Sequence, residues 1–297
     1  MILVTGGTGF VGPTVVHALR ERDLPVRCLV RDPAGGSAER LAASGCELAR
    51  GDMTDPASLR AAVEGCDVIV HLVAIRQGRP EEFRRVMEQG TADLVAAAQA
   101  AGVRRFVLMS ALGTSEETKD LVPYYHAKWE MEQTVAASPL EHVILRPSFI
   151  FAGDGGILPT FRRLARVAPV TPVIGGGRQR IQPVWIDDVA AYFAASVDKP
   201  DAAGRIFELG GPDVVSWNEF WTRLKHALGI RRPTVHVPVG LMRVNALVTE
   251  RLPGNIPLTR DLLTMLEHGD NVVSNDDAVQ TFGLPLVPLD EQLRRAV

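Results

Sequence analysis

The first half of the chain repeats one pattern, in which a short apolar run is followed by a turn and then by a longer amphipathic stretch. The apolar runs predict β-strands at Ile2–Thr5, Val26–Arg31, Glu47–Arg50, Val68–Leu72, Arg105–Met109 and His142–Arg146. The stretches between them predict helices at Gly12–Arg22, Ser37–Ser44, Pro56–Glu64, Glu82–Ala101 and Pro123–Ala137. Because neighbouring parallel strands need crossover connections, this alternation predicts an α/β fold with a doubly wound parallel sheet.

The pattern changes after about Pro147, where proline and glycine become frequent and apolar runs become sparse. We therefore expect residues 1–150 to carry the sheet and residues 151–297 to form a smaller, loop-rich, mixed α/β region that contacts substrate or partner. The two regions are expected to interleave, since Ile206–Leu209 predicts one more strand. From Pro238 onward the pattern predicts two or three further helices.

Composition and charge exclude several classes of function. With 46% hydrophobic residues and a formal net charge of -3, the chain has core material but no basic stripe for nucleic acid. Its three cysteines, Cys28, Cys46 and Cys66, lack the spacing of a disulfide framework or a zinc site, so we expect no metal. No apolar run reaches the roughly 20 residues of a membrane span. The first predicted strand begins at Ile2, which leaves no room for a signal or transit peptide, so we expect a cytoplasmic protein.

A glycine-rich turn follows the first predicted strand. Gly6, Gly9 and Gly12 form a GxxGxxG pattern between an apolar strand and a helix. In that context, one glycine permits the tight turn, the second lets backbone N–H groups approach a pyrophosphate, and the third lets helix and strand pack closely. The turn predicts dinucleotide binding.

The ends of the second and third strands bear on which dinucleotide binds. Arg31 stands where a guanidinium suits a ribose 2'-phosphate, which favours NADP(H) over NAD(H). Asp32 is adjacent and offers the carboxylate of an NAD site instead, so that alternative stays open. After the third strand, Asp52 and Met53 either contact adenine or simply form a turn.

A Ser, Tyr, Lys constellation supplies candidate catalytic groups. Tyr124 and Lys128 are four residues apart in a predicted helix, so their side chains share one face. A neighbouring ammonium lowers the pKa of a phenol, which suits proton exchange with a carbonyl oxygen. Ser110 ends the fifth predicted strand, where its hydroxyl can orient the same oxygen.

Longer segments carry a family likeness over nearly the whole chain. TGGTGFVG, VLMSALG, YYHAK, LRPSFIFAGDGG, IGGGRQRIQPVWIDDVA and FELGGPDVVSW look like the extended and atypical short-chain dehydrogenase/reductases. More narrowly, they resemble bacterial relatives of the NADPH-carrying, dehydrogenase-like accessory subunit of respiratory complex I. NmrA-like proteins are more distantly similar. The resemblance implies the NAD(P)-binding Rossmann fold.

The resemblance also implies roles for individual residues. Pyrophosphate, ribose, adenine and nicotinamide positions fall on Gly6, Thr8, Gly9, Phe10, Gly12, Arg31, Asp52, Met53, Ala74, Tyr124, Lys128 and Pro147. Ser110, Tyr124 and Lys128 match the family's catalytic triad. One position departs from the family, because Met87 stands where extended reductases usually have an Asn that holds a proton-relay water.

Three functions are compatible with these features. The first is an NADPH-dependent reductase of a small carbonyl or quinone-like substrate, which the retained motifs favour. The second is a non-catalytic NADPH-binding accessory subunit or redox-sensing regulator, which Met87 and the complex I likeness favour. The third is a nucleotide-sugar epimerase. The partner is accordingly a small molecule or a protein complex, and a homodimer is left open.

Overall fold

Six strands of the alternating half and one strand from the second half form a seven-stranded, wholly parallel sheet in a computed structural model that describes residues 1–249 and 259–297. The strands are β1 Ile2–Thr5, β2 Val26–Val30, β3 Glu47–Arg50, β4 Val68–His71, β5 Arg105–Met109, β6 Glu141–Pro147, β7 Ile150–Phe151, β8 Thr171–Ile174, β9 Arg180–Ile181, β10 Val184–Trp185, β11 Arg205–Leu209, β12 Val215–Ser216 and β13 Thr234–Val237. The sheet order is β11-β6-β5-β4-β1-β2-β3. The predicted doubly wound α/β fold is confirmed.

Helices connect the strands. They are α1 Gly12–Glu21, α2 Gly36–Ala43, α3 Pro56–Val63, α4 Pro80–Phe83, α5 Gly90–Ala100, α6 Pro123–Ala136, α7 Leu158–Val167, α8 Ile186–Ser196, α9 Trp217–Ala227, α10 Val239–Thr249, α11 Arg260–Glu267, α12 Asp276–Phe282 and α13 Leu289–Ala296. A π-helix, Arg84–Gln89, joins α4 to α5, and a short 3-10 helix spans Pro200–Ala202. The sequence predicted two or three helices after Pro238, which is wrong, since the described residues there form four.

The core of the sheet lies in its central strands. Every residue of β1 and of β4 is buried, and Leu3, Ile69 and Phe106 are fully enclosed. Continuous burial along a strand is the mark of a parallel sheet covered on both faces. The edge strand β3 is more exposed and ends where β2 ends, since Val30 pairs with Arg50.

The chain divides into two compact units that are discontinuous in sequence. The first contains Met1–Pro147, Ile186–Leu209 and Asn275–Pro285, and so includes the seven-stranded sheet. The second contains Ser148–Trp185, Gly210–Ser274 and Leu286–Val297, and its described residues form three two-stranded sheets, β10-β7, β12-β9 and β13-β8. In the part of the chain that the structure describes, no helix is both long and apolar enough to cross a membrane.

Candidate nucleotide and catalytic site

The glycine-rich turn between β1 and α1 leaves no room for side chains at two of its positions. Gly6 has a φ of +78°, and a Cβ placed on it would lie 3.0 Å from the carbonyl carbon of Leu72. A Cβ on Gly12 would lie 2.3 Å from the carbonyl oxygen of Gly6. Thr8 and Gly9 are exposed at the tip of the turn. The turn therefore brings bare backbone to the surface where the sequence predicts a pyrophosphate.

The N-terminus of α1 is open to an anion. Among the described residues no side chain caps it, and its first turn contains no acidic residue. The first N–H groups of a helix lack partners within the helix and carry a partial positive charge. Phe10 is partly exposed just before this terminus. Turn and helix end together fit a phosphate group, as the sequence predicts.

Arg31 and Asp32 lie exposed just beyond β2 and differ in their engagement. The Oδ1 atom of Asp32 accepts a hydrogen bond of 3.1 Å from the backbone N–H of Ala34, so this carboxylate shapes its own turn. Arg31 makes no hydrogen bond or ion pair with any of the described residues. The Arg31 guanidinium is therefore more available to bind a ligand than the Asp32 carboxylate is.

Asp52 and Met53 follow β3 and have different surroundings. Asp52 Oδ1 accepts from the backbone N–H of Thr54 at 2.8 Å and from the Thr54 hydroxyl at 2.6 Å, and these bonds hold the pKa of Asp52 below its usual range. Asp52 Oδ2 takes no hydrogen bond from the described residues. Met53 is only 6% exposed and packs in the core. Asp52 thus forms the turn of the alternative interpretation and still keeps one oxygen for a ligand.

Tyr124 and Lys128 share a face of α6, as their spacing predicts. Lys128 is fully buried, and its Nζ donates to the carbonyl oxygen of Met109 at 2.6 Å. The same Nζ lies 6.0 Å from the ring centroid of the partly exposed Tyr124. Ser110 follows Met109 directly, is 3% exposed, and donates from Oγ to the Thr114 hydroxyl at 3.5 Å. The bond to Met109 therefore ties Lys128 to the strand end that carries Ser110.

Burial shifts the pKa values of both Lys128 and Tyr124. It lowers the pKa of Lys128 to about 7, against the opposing effect of the Glu132 carboxylate. It also raises the pKa of Tyr124, with the Arg76 guanidinium acting in the opposite direction. The expectation that Lys128 lowers the pKa of Tyr124 is wrong here, because desolvation of the phenol outweighs nearby positive charge. Tyr124 is consequently a protonated donor at neutral pH.

A buried ion pair supports α6 and was not found from the sequence. Glu132, 1% exposed, accepts from Arg146 Nε at 2.9 Å and from Arg146 Nη2 at 2.6 Å. Glu132 stands four residues after Lys128, so Tyr124, Lys128 and Glu132 form one stripe along the helix. That spacing was the available signal, but the partner on β6 is not visible from local pattern.

His71 ends β4 in a closed polar network. Its Nδ1 lies 2.6 Å from the Thr5 hydroxyl and its Nε2 lies 3.0 Å from the Thr91 hydroxyl. The ring is fully buried, and burial lowers its pKa to about 3. His71 is therefore neutral and links the end of β1 to α5, which supports a structural role.

The remaining predicted residues lie at the same edge of the sheet or beside it. Ala74, three residues past β4, is partly exposed. Pro147 closes β6, and its carbonyl accepts from the N–H of Leu112 at 3.0 Å. Met87 is fully buried in the π-helix. An apolar core side chain thus occupies the position where the resemblance implies the family's Asn.

Comparison with known proteins places this geometry in context. Residues 6–200 match the model of a family described as NAD(P)H-binding. An NAD(P)H azoreductase of Xenophilus azovorans is 30% identical over 253 residues, 84% of this chain and 80% of the relative. An Arabidopsis thaliana subunit, NADH dehydrogenase [ubiquinone] 1 alpha subcomplex subunit 9, mitochondrial, is 28% identical over 228 residues, 73% of this chain and 55% of the relative.

A solved structure repeats the fold. The Escherichia coli NADPH-dependent quinone oxidoreductase QOR2, complexed with NADPH, superposes with a TM-score of 0.79 and 21% identity, over 99% of this chain and 98% of that one. At this identity the likeness concerns the fold alone. The resemblance to reductases and to the complex I subunit, drawn from the sequence motifs, is confirmed by these comparisons.

Proposed function

The chain belongs to the NAD(P)H-binding family, and from that premise we propose that it is an NADPH-dependent oxidoreductase that reduces a small carbonyl or quinone-like substrate. One observation carries the proposal. A bare glycine turn at an uncapped helix N-terminus occurs in the same unit as a Tyr124 and Lys128 pair on one helix face. The first arrangement suits a pyrophosphate, and the second suits proton transfer to oxygen.

Residues around the turn would hold the cofactor. Gly6, Thr8, Gly9 and Gly12 would face the pyrophosphate, and Phe10 would pack beside it. Arg31 would pair with the 2'-phosphate, which is why NADPH is proposed over NADH. The free Oδ2 of Asp52 would accept from adenine beside Met53, while Ala74, Lys128 and Pro147 would surround the nicotinamide half.

Three side chains would handle the substrate oxygen. A bound nicotinamide would supply the hydride that the substrate carbon accepts. Tyr124 donates its proton to the substrate oxygen, so the carbonyl becomes an alcohol and the proton balance closes. Lys128, with a pKa of about 7, is suited to return a proton toward Tyr124 at neutral pH. Ser110 donates a hydrogen bond that orients the oxygen.

The names of the relatives support the substrate class. The azoreductase, which is 30% identical to this chain, is named for the azo group, a conjugated electron acceptor. We accordingly propose a small conjugated molecule as substrate and the cytoplasm as the compartment, where NADPH is available.

Met87 supports a second candidate function, non-catalytic NADPH binding in a protein complex or a redox sensor. Its fully buried apolar side chain offers no hydrogen bond to a relay water. The similarity to the Arabidopsis complex I subunit is in keeping with this candidate. The two functions differ in how fast the nucleotide must leave, because turnover requires exchange of the cofactor.

Cofactor preference tests the role of Arg31. In Arg31→Ala, the dissociation constant for NADPH should rise about 10- to 100-fold, because a charge-assisted contact of about 1.5–3 kcal/mol is lost. Affinity for NADH should change less than about threefold. Isothermal titration with both nucleotides measures this, with Arg60→Ala on α3 as a control for removal of an exposed arginine. Equal weakening of both nucleotides would contradict a 2'-phosphate contact.

A further inference from the structure

Arg85 is an exposed arginine for which the proposed chemistry has no role. It lies in the π-helix between α4 and α5 and makes no hydrogen bond or ion pair with the described residues. Its neighbour Arg84 is also exposed, but the Nη2 atom of Arg84 lies 4.0 Å from Oε1 of Glu81, and Arg84 lines a cavity together with His126. The two adjacent arginines thus have different surroundings.

The π-helix places Arg85 near the turn that follows β3. The backbone N–H of Gly90 donates to the carbonyl oxygen of Arg85, five residues earlier, so the two residues are stacked one π-helical turn apart. Gly90 itself packs against Met53, since a Cβ on it would lie 2.9 Å from the Met53 carbonyl oxygen. Arg85 therefore stands one turn from the point where the helix contacts the 51–54 turn.

Electrostatics agrees with this placement. Besides its bonds to Thr54, the Asp52 carboxylate has its pKa lowered by both the Arg31 and the Arg85 guanidinium. Neither guanidinium comes within the 4.0 Å of an ion pair with Asp52. Two guanidinium groups that make no ion pair with the described residues therefore act electrostatically on a carboxylate whose Oδ2 accepts no hydrogen bond from those residues.

The surroundings of Arg85 suit a planar ring better than an anion. Phosphate sites collect backbone N–H groups, but the backbone around Arg85 is helical and its N–H groups are bonded within the helix. A free carboxylate oxygen suits the amino group of a base, and a guanidinium suits the π-face of that base. We propose that Arg85 binds the adenine base of the cofactor, with its guanidinium against the ring while Asp52 accepts from the amino group. This inference rests on the proposed function.

Binding of two nucleotides by two variants tests the assignment. NADPH and NADH share adenine and differ in the 2'-phosphate, so Arg85→Ala should raise both dissociation constants by the same factor, about tenfold. The loss should persist at 0.5 M KCl, because a contact with the ring does not depend on long-range charge. Arg84→Ala, which removes the same charge one residue away, should leave both constants within about twofold of the wild type.

Each other outcome overturns the assignment. Weakening of NADPH alone would place Arg85 on the 2'-phosphate. If the loss of affinity in Arg85→Ala vanished at high salt, or if Arg84→Ala caused the same loss, Arg85 would contribute only through the general positive charge of this surface. Unchanged binding in Arg85→Ala would exclude contact, whereas a wild type that bound neither nucleotide would overturn the proposed function itself. Thermal unfolding should be unaffected by either substitution, since both side chains are exposed.

Discussion

Gly12→Ala is expected to weaken NADPH binding by at least about 100-fold, equivalent to about 2.7 kcal/mol. The added Cβ would meet the carbonyl oxygens of Gly6 and Gly7 at 2.3 and 2.5 Å, distances that backbone atoms cannot tolerate. The turn must therefore move away from the N-terminus of α1, and the pyrophosphate loses its backbone contacts. Forcing an extra methyl into a packed site also costs about 1–3 kcal/mol of folding free energy.

A glycine outside the turn provides the control for the general effect of a glycine-to-alanine substitution. Gly36 is exposed at the start of α2, and the nearest atom to a Cβ placed there is 4.0 Å away. Gly36→Ala should therefore bind NADPH like the wild type. Fluorescence titration of both variants, with thermal unfolding to confirm that they are folded, makes the comparison. If folded Gly12→Ala bound NADPH with wild-type affinity, the glycine-rich turn would have no role in binding the pyrophosphate.

Tyr124→Phe is expected to lower kcat by about 10²- to 10⁴-fold, the usual contribution of a positioned proton donor. The phenyl ring keeps the packing on α6 but has no proton to give to the substrate oxygen. NADPH affinity should stay within about twofold. Oxidation of NADPH, followed by absorbance with a panel of quinones and ketones, measures the effect on whichever substrate the wild type reduces.

Tyr125 provides the control for this substitution. It is buried beside Tyr124, and its hydroxyl lies 2.6 Å from where a Cβ on Gly113 would stand, so it packs against the 111–118 segment. Tyr125→Phe should retain most of the wild-type kcat. If the two variants lost activity equally, the loss would reflect disturbance of α6, and Tyr124 would have no special chemical role.

Local pattern was sufficient to predict the sheet and the glycine-rich turn after β1. Continuous apolar runs define β1 and β4 because both faces of those strands are buried. The glycine spacing was informative because the positive φ of Gly6 and the crowding of Gly12 by the carbonyl oxygens of Gly6 and Gly7 are local properties. The spacing of Tyr124 and Lys128 likewise fixes their shared helix face without knowledge of the rest of the fold.

Features that depend on tertiary packing were not predictable from the sequence. The Arg146 partner of Glu132 comes from β6, and the two hydroxyl partners of His71 come from β1 and α5. Burial reverses the expected pKa shift of Tyr124, because desolvation depends on everything packed around the ring. The π-helical turn at Arg85 was also not predicted, because helix periodicity in the sequence does not reveal hydrogen bonds between residues i and i+5.

The identity and release rate of nucleotide on the purified wild-type protein test the central proposal most directly. Any retained nucleotide would be released and identified by chromatography, and the emptied protein titrated with NADPH and NADH. The proposed reductase should bind NADPH more tightly than NADH and exchange it at least as fast as it turns over. NADPH that copurifies and barely dissociates would contradict turnover and favour the non-catalytic role, and binding of neither nucleotide would contradict the proposal as a whole.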